Sequence, residues 1–356
     1  MKVMMFTRCM GIGGTEKVIL QLCEILKING HIPIVCAAKG KGVLRLKDLG
    51  VKYYEIPDMQ KKSILVLIDI IRKILYIIKN EKVDVIHTHH RMAAFYTALL
   101  LPFINVKFVN NVHNTFNDKR KLTFYAYRNA FNIVVGENVK ANMINDYHLS
   151  SGRIKVIYNT IKSDFNIDED SLIKKFKKMN YFVIGNIGRI NKQKGFEYYI
   201  KAANIIKKHN LRAVFLIIGD GILRKQVERL VCDMELTDIV YFYGYSNNIQ
   251  SLIRQLDLVV LSSLWEGFPL TPIETFSAGK TIVATDVPGT VEIVKNNVNG
   301  LVVPVKDEVA LAGSIERFII DDQFKRICEE NAYKTYCEFF SYEVFSKEYM
   351  SVYLNV

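Results

Sequence analysis

The sequence predicts an α/β protein of two doubly wound, Rossmann-like domains. Three observations carry this. The chain has 356 residues and is 50% hydrophobic, too long for one ordinary core. Short apolar, β-branched runs alternate with helix-length amphipathic stretches, the pattern of βα units around a parallel sheet. The alternation breaks at a highly charged stretch, residues 162–180 (KSDFNIDEDSLIKKFKKMN), and then restarts. In such sheets ligands sit beyond the carboxyl ends of the strands, so the segments that leave strands carry the functional reading.

Lys2–Thr7 reads as the opening strand. Its apolar run is too short for a signal peptide. Gly11-Ile12-Gly13-Gly14 follows and opens a helix from about Thr15 to Asn29. Such a loop offers backbone amides and a helix N-terminus to a phosphate. Glu16 stands where a dinucleotide fingerprint has its third glycine, which argues against a dinucleotide fold. Strands follow at Ile32–Ala38 and Val51–Ile56, a helix at Ser63–Asn80, and a strand at Val83–His87. A helix at Met92–Leu101, a strand at Lys107–His113, a helix at Lys121–Ala130, a strand at Asn132–Val135 and a helix at Val139–Tyr147 complete this half. The run His87-Thr88-His89-His90 suggests a metal at first sight. Adjacent histidines on a strand point to opposite faces, and no acidic ligand has telling spacing, so a hydrogen bond to a substrate hydroxyl is the better reading. His113 also ends a strand and is expected on the same cleft.

The second half restarts with a strand at Tyr181–Ile187 that runs into Gly188-Arg189, followed by Lys192, Lys194 and Gly195. Paired cations at a strand end, just before a helix, can clamp a diphosphate and stabilise charge on it as it departs. A helix at Phe196–His209 leads to a strand at Ala213–Ile218 that ends in Gly219-Asp220-Gly221. Ile239–Tyr243, Leu258–Ser262 and Thr281–Ala284 are the remaining expected strands, with a helix through Leu256 between the first two. Residues 265–280, WEGFPLTPIETFSAGK, set Glu266 in a loop and Glu274 eight positions later. Thr271-Pro272-Ile273-Glu274 fits a capping box, with Gly279 ending the helix. Glu266 takes no part in that cap. A carboxylate beside an anion-binding loop has a purpose if it accepts hydroxyls of the same ligand.

The six cysteines show no metal spacing and read as free, mostly buried thiols of a reducing cytosol. The most apolar stretch, Ile64 to Ile78, is broken by Asp69, Arg72 and Lys73 and is too short to span a bilayer. The net charge is +12, yet residues 1–165 alone hold 25 Lys+Arg against 12 Asp+Glu. A one-sided basic half attracts anionic surfaces. Lys61–Lys82, and Lys119–Phe131 with Phe124, Tyr125 and Tyr127, have the basic, amphipathic character of membrane-interface helices, although a core helix with snorkelling lysines has it too. No nucleic-acid recognition motif accompanies the charge.

As a set, several motifs resemble family 4 glycosyltransferases of the GT-B fold: Gly13-Gly14-Thr15-Glu16, Gly188-Arg189 with Lys194-Gly195, Gly219-Asp220-Gly221, and Glu266-x7-Glu274. Ala278-Gly279, Val283-Ala284-Thr285-Asp286 and Asn299-Gly300-Leu301-Val302 continue the match in order over nearly the whole chain. The resemblance implies two Rossmann-like domains facing across a cleft. Residues 1–165 would bind acceptor, 166–180 would link, 181–337 would bind nucleotide sugar, and 338–356 would pack back onto the first domain. It implies that Glu274 meets the ribose, Glu266 the donor sugar, Arg189 and Lys194 the diphosphate, and His113 the sugar near the reacting carbon. Amides at Gly13, Gly14, Phe268 and Leu270 would meet sugar and phosphates, and Gly244, Tyr245 and Gly267 would complete the binding set. It further implies retention of anomeric configuration, no metal or other cofactor, and a nucleotide-diphosphate donor, with UDP favoured. The acceptor would be lipid-linked or a polysaccharide in a bacterial surface-glycan pathway, worked on at the cytoplasmic face of the membrane. The chain departs from the family at Phe268-Pro269-Leu270-Thr271-Pro272 and at Asn159-Thr160, which bears on sugar identity. A soluble transferase to a small acceptor or glucan, and a non-catalytic nucleotide-sugar binder, remain alternatives.

Overall fold

A computed structural model describes residues 1–11, 13–60, 63–162 and 168–356. Outside them lie Ile12 of the glycine loop, Lys61 and Lys62 at the start of the expected basic helix, and 163–167, where the expected domain end falls. The chain divides into two compact units, Met1–Asn159 with Phe345–Val356, and Thr160–Val344.

Unit 1 is a seven-stranded parallel sheet: β1 (Lys2–Cys9), β2 (Ile32–Ala38), β3 (Lys52–Glu55), β4 (Val85–Thr88), β5 (Lys107–Val112), β6 (Phe131–Val134) and β7 (Ile154–Val156). Their order is β3-β2-β1-β4-β5-β6-β7. Unit 2 has β8 (Phe182–Ile187), β9 (Ala213–Ile218), β10 (Val240–Gly244), β11 (Leu258–Leu261), β12 (Ile282–Thr285) and β13 (Leu301–Val303), ordered β10-β9-β8-β11-β12-β13. Both sheets reverse direction once, between β1 and β4 and between β8 and β11. Each reversal opens a crevice at the strand ends, the usual ligand position of doubly wound sheets. Helices cover both faces, so the strands read as continuous apolar runs; β9, AVFLII, is buried throughout. The helix Gly14–Ile28 buries Val18, Leu22, Ile25 and Leu26 on one stripe.

Among the described residues no helix is long and apolar enough to cross a membrane. Cys23, Cys36 and Cys328 are buried, but Cys232 and Cys337 are exposed, contrary to a mostly buried set.

The strand expectations omitted β7 and β13. Each is three residues long and lies at a sheet edge, too short for a period to register. The expected linker 166–180 is a larger difference. Residues 171–178 form a helix of unit 2, Ser171–Lys178, which Asp170 caps through the N–H groups of Leu172 and Ile173. Ile173 and Phe176 are buried, and the Phe176 ring lies 4.7 Å from that of Tyr241. Four lysines on the other face made an amphipathic helix look like a charged spacer. The change of unit falls earlier than expected, after Asn159. Thr160 Oγ1 donates to Phe340 O at 2.6 Å and Tyr336 to Ile161 O at 2.9 Å, which binds the chain to unit 2 from Thr160 onward. The tail rejoins unit 1 at Phe345 rather than at residue 338.

Candidate active site

In unit 2 the loops after β8 and β11 are joined at the backbone. Gly195 has a left-handed φ of +57°, and a Cβ there would lie 2.2 Å from the Ser262 carbonyl oxygen. Only glycine permits this approach. Ser262 Oγ donates to Lys194 O at 2.9 Å and accepts from Asn186 Nδ2 at 2.9 Å. Leu264 N–H donates to Gln193 O at 2.7 Å. The β12 side braces the same loop: Thr285 Oγ1 donates to Ser263 O, and a Cβ on Gly289 would lie 2.0 Å from Gly267 O.

This clamp brings Lys194 Nζ to 2.7 Å from Glu266 Oε1, with side-chain exposures of 16% and 8%. Ser263 Oγ donates to the same oxygen at 2.7 Å, and Gln193 Nε2 to Oε2 at 3.2 Å. A nearly buried carboxylate needs such donors to offset its desolvation. Three acceptor positions are used and a carboxylate has about four, so Oε2 retains capacity for a hydroxyl. Arg189 is exposed and follows Gly188, on which a Cβ would lie 3.1 Å from Lys194 Cε. The β8 and β11 loops thus gather Arg189, Lys194, Glu266, Gly267 and Phe268 at one switch point. Gln193 and Ser263 belong to the site but were missed. The only signal for them was their adjacency to Lys194 and to the end of β11.

Glu274 sits in the helix Thr271–Ser277, but the capping box does not form. Leu270 is the N-cap and has no side-chain cap bond, and Thr271 and Pro272 are the first helical residues. Glu274 is therefore the fourth helical residue, and its N–H donates to Leu270 O at 2.9 Å. The helix begins one residue early because proline fits either of its first two positions. Gly279, at φ +69°, ends it as expected. Gly219 and Gly221 are packing glycines: a Cβ on them would lie 2.0 Å from Gly188 O and 2.3 Å from Ile190 O. Gly244 accepts the Gly219 N–H at 2.8 Å, and Tyr245 beside it is 76% exposed. Gly244 ends β10, two places from β8 in the sheet, and Tyr245 follows it.

In unit 1, Gly14 opens its helix and the Gly13 N–H donates to Glu16 Oε2 at 2.8 Å. The amide assigned to a phosphate is thus engaged by the chain's own carboxylate, which occupies the position an anion would take. His113, after β5, lines a cavity of about 290 Å³ with His89, Asn111, Arg91, Lys119 and Thr15. His89 Nδ1 lies 3.3 Å from His113 Nε2. Burial pushes His113 down to about 4 and His87 to about 3, so both rings are neutral at pH 7. His87 and His89 share a side of the strand, with ring centroids 4.2 Å apart, while His90 caps the next helix by accepting the Met92 N–H. Among the described residues no group of three or more His, Cys, Asp or Glu could hold a metal ion.

Comparison with known proteins gives this arrangement its family. Residues 12–165 match the model of Glycosyltransferase Family 4, and residues 168–335 that of Glycosyl transferases group 1. An uncharacterised glycosyltransferase of Methanocaldococcus jannaschii is 28% identical, with 93% of this chain and 92% of the relative covered. The Escherichia coli UDP-Gal:alpha-D-GlcNAc-diphosphoundecaprenol alpha-1,3-galactosyltransferase is 27% identical over 90% of this chain and 88% of its own. The crystal structure of an Anabaena protein in complex with UDP superposes with a TM-score of 0.88 at 20% identity, each chain covered fully. That likeness concerns the fold, two Rossmann-like sheets of the GT-B kind. With both halves matched in order, the chain belongs to the family 4, group 1 glycosyltransferases.

Proposed function

We propose that the protein moves a hexose or N-acetylhexosamine from UDP to a lipid-linked acceptor, with retention and without a metal, in bacterial surface-glycan synthesis. The observation that carries this reading is the Lys194–Glu266 pair, held at the β8/β11 switch point, with the exposed Arg189 on the loop that leaves β8. Arg189 and Lys194 supply the positive charge that a diphosphate gathers as it leaves. The bond from the anomeric carbon to the diphosphate oxygen breaks as the acceptor oxygen bonds to that carbon on the same face. The acceptor proton passes to the departing phosphate oxygen. Glu266 takes donor-sugar hydroxyls, Glu274 the ribose, and neutral His113 a hydroxyl near the reacting carbon. The E. coli relative named above works on a diphosphoundecaprenol substrate, which favours a lipid diphosphate acceptor here. An anionic membrane surface, at its cytoplasmic face, is the matching partner for the basic first half.

The test is donor hydrolysis by the purified chain in EDTA, across UDP-, GDP- and ADP-sugars. Release of UDP from one sugar is expected, falling about 10²-fold or more in Glu266→Ala, the scale of a lost transition-state contact. Hydrolysis that requires added divalent metal would overturn the metal-free mechanism. No release, with no thermal shift by any nucleotide, would leave a non-catalytic binder.

A further inference from the structure

Beyond the nucleotide site, buried polar groups of unit 1 converge on His113. The C-terminal helix Tyr342–Asn355 buries Phe345, Tyr349, Val352 and Tyr353 on one stripe. Two of these carry a hydroxyl inward. Tyr349 donates to Asn111 Oδ1 at 2.7 Å, and Tyr353 lies 2.7 Å from His87 Nδ1. From His87 the path continues through the His89 ring, 4.2 Å away and tilted by 38°, to His113 Nε2. From Asn111 it is direct, since Asn111 Nδ2 lies 3.3 Å from Nε2 and 3.5 Å from Nδ1 of His113.

The bond directions follow from chemistry. The buried Tyr349 hydroxyl needs an acceptor, and Asn111 Oδ1 supplies it. The amide therefore turns its NH2 edge to His113. A donor there requires a lone pair, which neutral imidazole has and imidazolium lacks. His89 Nδ1 lies 3.3 Å from the same His113 nitrogen, Nε2, and adds a second contact that limits rotation of the ring. His87 Nε2 and His89 Nε2 are buried without partners, a destabilising arrangement that apolar side chains of similar size would avoid. Packing alone does not explain these histidines.

We propose that Tyr349 and Tyr353 are positioning residues: through Asn111 by one path and through His87 and His89 by another, the C-terminal helix holds His113 neutral and in one orientation for the substrate. This rests on the reading of His113 as a substrate contact. The charged groups at the cavity are Arg91, paired with Asp118 at 2.8 Å, and Lys119; burial is what pushes His113 towards the neutral form.

The experiment is NMR of the full chain carrying ring-15N histidine, with kinetics on the same samples. Wild type is expected to show His113 as one neutral tautomer at pH 7. Tyr349→Phe frees the amide to turn, so mixed His113 tautomers are expected, with kcat down about tenfold, the scale of one hydrogen bond, and donor KM changed less than about twofold. Tyr353→Phe should move the His87 and His89 signals. Unchanged His113 signals in Tyr349→Phe overturn the proposal, including the case where kcat falls only with the folded fraction. Full activity in His113→Ala would remove the substrate contact, while the tautomer result would still judge whether the helix sets the ring.

Discussion

Two glycines of unit 2 both have left-handed φ, yet they do different work. Gly279 ends a helix in open space, where a Cβ would have no atom within 4 Å, whereas a Cβ on Gly195 would meet the Ser262 carbonyl. Gly279→Ala should cost only the left-handed strain, about 1–2 kcal/mol, and keep donor turnover. Gly195→Ala adds a backbone clash, so its loss of stability in denaturant melts should be larger. Turnover should fall too, because the β8 and β11 loops must part and carry Lys194 from Glu266. Equal stability losses, or full turnover in Gly195→Ala, would refute the clamp. The sequence marked both glycines through their motif positions. It could not say which one touches another loop, since that contact joins residues 67 positions apart.

The helix Ile64–Glu81 shows what an element's pattern can and cannot decide. Its inner face buries Ile70, Ile74 and Ile77. Its outer face exposes Ile64, Leu65, Ile68, Leu75 and Tyr76, with Arg72 and Lys79 among them. An isoleucine-rich stripe predicts a core helix equally well. Only the structure separates the buried set from a second apolar set that faces outward. Exposed apolar groups mixed with cations suit an anionic bilayer interface. The chain should therefore sediment with phosphatidylglycerol vesicles and not with phosphatidylcholine vesicles. Ile68→Glu with Leu75→Glu should abolish this with no loss of thermal stability, both sites being exposed. Equal retention of the variant would exclude this face, and no binding by wild type would favour a soluble acceptor. The capping box at Thr271 and the linker at 166–180 failed for a related reason. Local motif rules assign a cap or a spacer without knowing what packs on the segment.

At the scale of the molecule, buried histidines tie stability to pH. His87 is fully buried and its ring is pushed from 6.5 to about 3 by desolvation. A depressed histidine binds its proton more weakly folded than unfolded. The native state therefore loses stability as pH falls through 6.5, and the loss continues to about pH 3. Each pH unit in that window costs about 1.4 kcal/mol for one such group. Denaturant melts at pH 7, 6 and 5 should show this slope, reduced by about one proton's worth in His87→Gln. An unchanged slope would mean His87 is already protonated when folded.

What the sequence determined by itself is local: strand and helix alternation, the restart at a second domain, and cations, glycines and carboxylates at strand ends. These follow from side-chain period and from backbone conformations that few residues adopt. Tertiary structure alone decided which strand ends meet. Lys194 and Glu266 pair across 72 positions because β8 and β11 are neighbours in the sheet. Tyr353 reaches His87 across 266 positions because the last helix returns to unit 1. No period within a short window records sheet order or a returning helix. Both come from burying every apolar face at once, and the side chains they bring together are the ones that make the site.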